Sequence, residues 1–368
     1  MRRLILLLLL GVPLLRAQQA EPDQLLNSAI EAQQRGDLPD AIQKYQKLLE
    51  LRPKMADARV NLGAALADSG RFDEAIAQYR AALPDIQDKN AVRLNIALAY
   101  YKKGDLEAAS REFDALHKLR PESAQIAILL GDCEVRLGRG SDAVAMLHPL
   151  EAANAANPDF EYVLGTALLQ AGERREGAMK LNQLAEQTQN PEAYLLAGST
   201  FLDLNDYERA RANLEAALRL KPSLPHIYTL TGMARDNTGD QAAAEPAFRE
   251  ALRQDPNDFS ANLYLGSILY KRRAMDEAKP YLDHALALNP SSSMARYEVA
   301  IWNSKSGHYD EAAKDLEAVT RSDPNWLEPH IELANVYYRL HRSQDGARER
   351  EIVTRLTAQQ QSKGPGVP

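Results

Sequence analysis

The chain has 368 residues, of which 45% are hydrophobic and 26% are charged, the balance of a folded protein rather than a disordered one. Its 44 basic and 51 acidic residues give a net charge of -7. An acidic chain is not attracted to phosphate backbones, which argues against nucleic acid as a partner. The single cysteine, Cys133, excludes both a disulfide framework and a cysteine-based zinc site.

The first seventeen residues have the pattern of a targeting segment. Met1 to Arg3 form a positively charged stretch, and the apolar run LILLLLLGVPLL follows from Leu4 to Leu15. A helix of that length reaches about 18 Å, which is shorter than the roughly 30 Å hydrocarbon core of a bilayer. The pattern therefore predicts a secretory signal peptide over residues 1–17, with Ala17 as the small residue before the cleavage site.

The expected location follows from this segment. Leu15 is bulkier than the cleavage pattern prefers, so retention as a short membrane anchor is the alternative to cleavage. No acceptor site for N-glycosylation occurs, which favours a bacterial exported protein. No other run of eighteen apolar residues is present. We therefore expect a periplasmic or secreted protein that has no stable membrane span once the segment is removed.

The rest of the chain is built from a repeat of 34 residues. The segments NLGAALADSGRFDEAIAQYRAAL, from Asn61 to Leu83, and NIALAYYKKGDLEAASREFDAL, from Asn95 to Leu116, share one pattern. The same pattern gives ten units over residues 22–360, nine of 34 residues and one of 33. The units start at Pro22, Ala56, Asn90, Ala124, Pro158, Pro191, Pro225, Phe259, Ser293 and Leu327. We predict that the tail, residues 361–368, is disordered because it has nothing to pack against.

Three columns of the repeat predict where its helices cross and end. Positions eight and twenty hold only glycine or alanine in all ten units, as at Gly63 and Ala75. Helices of an antiparallel pair approach closely only where side chains are small, so these columns predict the crossing points. Position fifteen is glycine in seven units and Asn205 in an eighth, which predicts the end of the first helix because these residues adopt a positive φ. Pro149 predicts a kink in the second helix of the fourth unit.

The pattern resembles the tetratricopeptide repeat family, whose units carry small residues at positions eight and twenty and a proline near the end. No unit has the family's tryptophan at position four. The resemblance implies an all-α fold, a right-handed α-solenoid of about ten stacked helix–turn–helix units, each of which buries its apolar face against its neighbours. One array then replaces the two or three domains that length alone suggests.

The resemblance also implies a ligand groove along the first helices, at positions two, five, six, nine, twelve and thirteen. Apolar residues, five tyrosines and a few acids occupy these positions, which suits an extended peptide or an amphipathic helix. The candidate groove residues are Leu94, Tyr101, Asp132, Tyr162, Thr166, Ser199, Met233, Asp236, Tyr270, Tyr297, Asn335 and Tyr338. Exposed tyrosines also stack on sugar rings, so a polysaccharide is the alternative ligand.

No motif in the sequence indicates catalysis. The seven histidines show no metal-ligand spacing, and no GxSxG, P-loop or HExxH motif occurs. Asp132 and Asp236 lie three units apart, too far for a general acid/base pair. We therefore expect no cofactor, no metal and no enzymatic activity. The sequence predicts a protein-binding scaffold of the cell envelope, with a polysaccharide-binding or export component as the alternative and an enzyme in third place.

Overall fold

The structure is a computed structural model that describes residues 11–362, with side chains from residue 21 to residue 361. The predicted targeting segment therefore lies mostly outside the described residues, and so does the predicted tail from residue 363 onward. The first helix begins at Gly11 and the last ends at Ser362. Within the described range every regular element is a helix, and no strand occurs. The predicted all-α class is confirmed.

The chain forms two compact units, one up to Leu184 and one from Ala185 onward. The boundary falls inside the 33-residue repeat and inside the helix Arg174–Thr188. The helices before the boundary are α1 (Gly11–Gln34), α2 (Leu38–Leu51), α3 (Ala56–Asp68), α4 (Phe72–Ala82), α5 (Lys89–Lys103), α6 (Leu106–Leu119), α7 (Ala124–Arg136), α8 (Gly140–Leu147), α9 (Glu151–Asn154) and α10 (Pro158–Ala171). The helix that contains the boundary is α11 (Arg174–Thr188).

The second unit continues with helix pairs of the same kind. Its helices are α12 (Pro191–Asp203), α13 (Tyr207–Leu220), α14 (Ile227–Asn237), α15 (Gln241–Gln254), α16 (Phe259–Lys271), α17 (Met275–Leu288), α18 (Ser293–Lys305), α19 (Tyr309–Ser322), α20 (Leu327–Arg339) and α21 (Ser343–Ser362). In each of the nine repeats that lie within one unit the first helix packs against the second, and the second packs against the first helix of the next repeat in that unit. This alternation is the stacked helix–turn–helix arrangement that the sequence predicts.

The first and second helices cross at the small residues of position eight. A Cβ atom placed on Gly63 would lie 2.6 Å from Cε1 of Tyr79, which occupies position twenty-four of the same repeat. A Cβ atom on Gly232 would lie 2.7 Å from Cε1 of Phe248 in the same relation. Both aromatic rings are buried, so neither can move aside. The close approach predicted from this column is therefore present.

The first helix ends in a left-handed residue in all ten repeats. The seven glycines at position fifteen have φ between 78° and 92°, and Asn205 has φ of 57°. The other two repeats adopt the same turn with Arg273 at 68° and His341 at 58°. The sequence does not predict these two positions, because side chains larger than asparagine disfavour a positive φ.

The predicted kink in the fourth repeat is also present. The second helix stops at Leu147, and a 3₁₀ turn over His148–Leu150 carries Pro149 before the chain resumes in α9. Proline lacks the N–H that the helix interior requires, so the α-helical ladder breaks there. None of the helices in the described part of the chain is both long and apolar enough to cross a membrane.

Candidate functional site

Two of the predicted groove residues in the first unit form a hydrogen-bonded pair. Tyr101 on α5 donates its hydroxyl to Oδ2 of Asp132 on α7, at 2.7 Å. The guanidinium of Arg136 lies 3.5 Å from the same oxygen and 5.3 Å from the centre of the Tyr101 ring. Burial and the neighbouring carboxylate raise the pKa of the Tyr101 hydroxyl. The three side chains thus join the first helices of the third and fourth repeats.

The other candidates in the first unit serve the packing of their own helices. Leu94 on α5 is half-buried and packs against the core cluster that contains Phe113. Thr166 on α10 donates its hydroxyl to the carbonyl oxygens of Tyr162 and Val163, at 3.0 and 2.9 Å. That hydroxyl is satisfied within its own helix. The side chain of Tyr162 lies half-buried on the same helix.

The second unit contains a polar cluster on three successive first helices, α14, α16 and α18. The hydroxyls of Tyr270 and Ser267 on α16 lie beside the carboxyl group of Glu298 on α18, where both oppose the rise in its pKa. Asp236 on α14 is close enough for its charge to act on both Glu298 and Tyr264. The predicted candidates Asp236 and Tyr270 thus both lie near Glu298. We call these five residues the polar cluster.

The polar cluster contains two carboxylate oxygens that are buried without a donor. Oδ1 of Asp236 and Oε2 of Glu298 have no hydrogen-bond partner among the described residues. Burial is the main cause that raises the pKa of Glu298; the charge of Asp236 adds to it, while Tyr270 and Lys271 oppose it. Burial also raises the pKa of Tyr270 well above its usual range. Unpaired buried oxygens are costly, so the cluster is poised to accept hydrogen bonds.

The remaining candidates of the second unit have different surroundings. Ser199 donates its hydroxyl to the carbonyl oxygen of Leu196, at 3.1 Å, within α12. Met233 is half-buried against the apolar core. The ring of Tyr297 lies 4.9 Å from that of Trp326, and burial raises the pKa of its hydroxyl to about 12. The last two candidates, Asn335 and Tyr338, are exposed on α20.

The acids at position six are not among the groove residues predicted from the sequence. Glu298 and Glu332 are the only acids in that column, which elsewhere holds asparagine, tyrosine or aliphatic residues. Glu332 accepts a hydrogen bond from the hydroxyl of Ser304 on the preceding first helix, at 2.6 Å. The change of this column to acid in the last two repeats is a signal that the sequence does contain.

The described residues offer acceptors for hydrogen bonds rather than a metal site. No group of three or more His, Cys, Asp or Glu side chains in that part of the chain is arranged to hold a metal ion. Carboxylates beside tyrosine rings bind N–H donors and cationic groups, since both the charge and the face of the ring attract them.

Comparison with known families identifies the repeat. One sequence model described as tetratricopeptide repeat matches residues 26–91, 94–158 and 229–300, and a second matches residues 191–224. The first model alone covers more than half of the chain. The chain belongs to the tetratricopeptide repeat family. Tetratricopeptide repeats are generally scaffolds for protein–protein interaction.

Two curated relatives match the chain at low sequence identity. Protein CTR9 homolog of Arabidopsis thaliana is 23% identical over 281 residues, which is 71% of this chain and 25% of that protein. Protein O-mannosyl-transferase TMTC1 of Homo sapiens is 24% identical over 239 residues, 62% of this chain and 26% of that protein. This chain thus spans about a quarter of the length of either relative.

One solved structure that resembles the chain is also a tetratricopeptide repeat protein. It comes from Parabacteroides merdae, with 18% identity and a TM-score of 0.49. The match covers 72% of this chain and 98% of that one.

Proposed function

We propose that this chain is a non-enzymatic scaffold of the cell envelope, which binds an extended peptide or an amphipathic helix along the face of its first helices. Membership of the tetratricopeptide repeat family supports protein binding in general. The apolar run that follows the positive N-terminus supports export. The transferase activity in the name of the human relative is not carried over, since the match covers only 26% of that protein.

The observation that carries the proposal is the pair of unpartnered carboxylate oxygens on Asp236 and Glu298. Leaving a buried acceptor unsatisfied costs about 1–3 kcal/mol, and more when the group is charged. A donor that a bound ligand supplies would remove this cost. A polypeptide supplies suitable donors through its backbone N–H groups and through lysine or arginine side chains.

A peptide fits the tyrosines of these faces better than a polysaccharide does. Sugar rings stack on the open face of an aromatic ring. The ring of Tyr101 packs edge-on to Phe113 with Arg136 over it, and the ring of Tyr297 packs against Trp326. The faces of these two rings already contact other side chains of the protein, so they are less available for stacking on a sugar ring. This favours a ligand that is bound through hydrogen bonds and side-chain contacts.

The proposal is tested by photo-crosslinking in the native host. A photo-reactive amino acid replaces Met233, one turn from Asp236, and in a second strain it replaces Tyr162 of the first unit. The matched control replaces Leu220, an apolar residue that is 45% exposed on the second helix α13. Adducts are purified and identified by mass spectrometry.

A recurring polypeptide at the first-helix positions, absent from the Leu220 control, is the expected result. Adducts that are the same at all three positions overturn the proposal, and so does the absence of any polypeptide adduct. Recovery of glycan alone assigns these faces to a polysaccharide instead. Each position reports on its own unit, so the two units are tested separately.

A further inference from the structure

Position four of the repeat, where no unit has tryptophan, carries a side chain that joins two elements in several repeats. In the ninth repeat Arg296 on α18 donates to the carbonyl oxygen of Pro290, at 2.9 Å, and to Oδ1 of Asp315 on α19, at 3.2 Å. Arg59 on α3 makes the equivalent two bonds in the second repeat. Arginine keeps its N–H donors at every ordinary pH, so the donors at these two positions do not depend on protonation.

His330 occupies position four of the tenth repeat and contacts the equivalent two groups. Its Nδ1 lies 2.6 Å from Oε2 of Glu349 on α21, and its Nε2 lies 3.1 Å from the carbonyl oxygen of Pro324. Neither a carboxylate nor a carbonyl oxygen offers a proton, so both bonds form only when each ring nitrogen carries one. His330 is 4% exposed, so water is not available in place of a lost partner. We call His330, Glu349 and Pro324 the histidine lock.

Glu349 is the charged group that the ring contacts. Other charged side chains of α18 to α21 are bonded to different groups: Arg296 to Asp315, Glu317 to Tyr337, Glu332 to Ser304 and Asp345 to Arg342. Glu298 lies in the polar cluster, and the remaining charged side chains of these helices are exposed, as is Asp323 in the turn before α20. The charge on the ring is therefore balanced by Glu349.

We propose that the histidine lock controls the packing of α21 on α20 through a proton: the doubly protonated ring ties the two helices together, and the neutral ring releases them. Histidine is the side chain whose charge changes between about pH 5 and 8. A neutral ring keeps one N–H, so one buried acceptor loses its donor and faces a lone pair. Because the tied state needs the proton, the lock is closed at low pH and opens as the pH rises.

Opening of the lock loosens the second helix of the tenth repeat. Leu356 on α21 is 4% exposed while the helices are packed, so an apolar surface becomes accessible when they separate. The lock does not include any residue of the polar cluster. The inference therefore goes beyond the proposed function and does not depend on it.

The test is amide hydrogen exchange of the full chain, followed by mass spectrometry at pH 5.5, 7 and 8.5. Dividing the intrinsic rate at each pH by the observed rate gives the protection that the structure provides. The internal control is α19, because the permanent cation of Arg296 connects it to α18. Between pH 5.5 and 8.5 we expect the protection of the α21 amides to fall at least about tenfold more than that of α19, about 1.4 kcal/mol.

Two variants of the lock and one control assign the effect to the ring. His330→Arg supplies the donors that Arg296 supplies in the ninth repeat, so the extra fall in α21 is expected to disappear. Glu349→Gln removes the charge that favours the protonated ring, so the extra fall is expected to shrink severalfold. His341→Gln changes an exposed histidine of the same repeat and is expected to leave the fall as it is in the wild-type chain.

Nitrogen NMR of the chain labelled at histidine observes the ring directly. The His330 signals are those that vanish in His330→Gln, and at pH 5.5 both ring nitrogens are expected to be protonated. The proposal is overturned by a bare ring nitrogen at pH 5.5, by equal changes in α19 and α21, or by a fall that persists in His330→Arg. Should thermal melts show that His330→Arg does not fold, a fall that Glu349→Gln leaves at its full size overturns it instead.

Discussion

Replacing Glu298 by glutamine tests the electrostatics of the polar cluster. Burial raises the pKa of this carboxyl above the value of about 4.3 that glutamate has in an unfolded chain. The folded state therefore holds the proton more tightly than the unfolded state does. The contribution of this group to stability is full below about pH 4.3 and is lost as the pH rises through the folded pKa.

The size of the effect follows from the unpartnered oxygen. The charged form of Glu298 gains population as the pH rises, and its Oε2 is buried without a donor. Such an acceptor costs about 1–3 kcal/mol. Glutamine keeps a carbonyl oxygen beside Tyr270 and removes the charge. We expect E298Q to raise the free energy of unfolding of the second unit by about 1–2 kcal/mol at pH 8, and to change it little at pH 4.

The assay is denaturant unfolding of the full chain at pH 4, 6 and 8, followed by tryptophan fluorescence. Both tryptophans, Trp302 and Trp326, lie in the second unit, so the signal reports on that unit alone. Glu332→Gln is the matched control, because Glu332 occupies the same position of the next repeat and has no buried oxygen without a partner. A gain for E298Q that is equal at pH 4 and pH 8, or a loss at pH 8, refutes the reasoning.

Three further predictions concern single positions. Arg273→Gly is expected to stabilise the second unit by about 0.5–1 kcal/mol, because Arg273 has φ of 68°. Gly239→Ala at the equivalent turn is expected to destabilise the unit by a similar amount, because Gly239 also has a positive φ. Denaturant unfolding that ranks the two variants in the opposite order contradicts this prediction. The Cys133 thiol is fully buried and burial raises its pKa to about 12, so it should react with a thiol reagent only after unfolding; rapid labelling of the folded chain is the contrary result. The exported protein should begin at Gln18, and an intact mass that retains residues 1–17 indicates an anchored form instead.

Much of the fold is predictable because the same residue types recur at the helix crossings and helix ends of all ten repeats. Gly63 and Gly232 lie at crossing points where a Cβ atom would collide with a buried ring, so the small-residue column has a single steric cause. Arg273 and His341 escape prediction because the backbone hydrogen bonds that close each helix-ending turn hold them at a positive φ, against the preference of their side chains. The boundary between the two compact units, after Leu184, cannot be predicted from the sequence. The repeat pattern continues across it and differs there only by one missing residue.

The candidate site is less predictable than the fold, because the position in the repeat does not determine what a polar side chain bonds to. Thr166 and Ser199 occupy the same column as Asp132, yet their hydroxyls bond to carbonyl oxygens of their own helices. The carboxylate of Asp132 cannot do so, since a carbonyl oxygen offers no proton, and it reaches Tyr101 on the neighbouring first helix. Pairs of this kind depend on the distance between helices, which no single repeat encodes.

The central claim is that the first-helix faces bind a polypeptide through unpartnered acceptors. Isothermal titration of the purified chain with the polypeptide captured by cross-linking at Met233 tests it most directly. The account predicts that Asp236→Ala weakens binding at least about tenfold, since a hydrogen bond to a charged group contributes about 1.5–3 kcal/mol. It predicts that Leu220→Ala on α13 leaves the affinity unchanged. Equal affinities for the two variants contradict the claim.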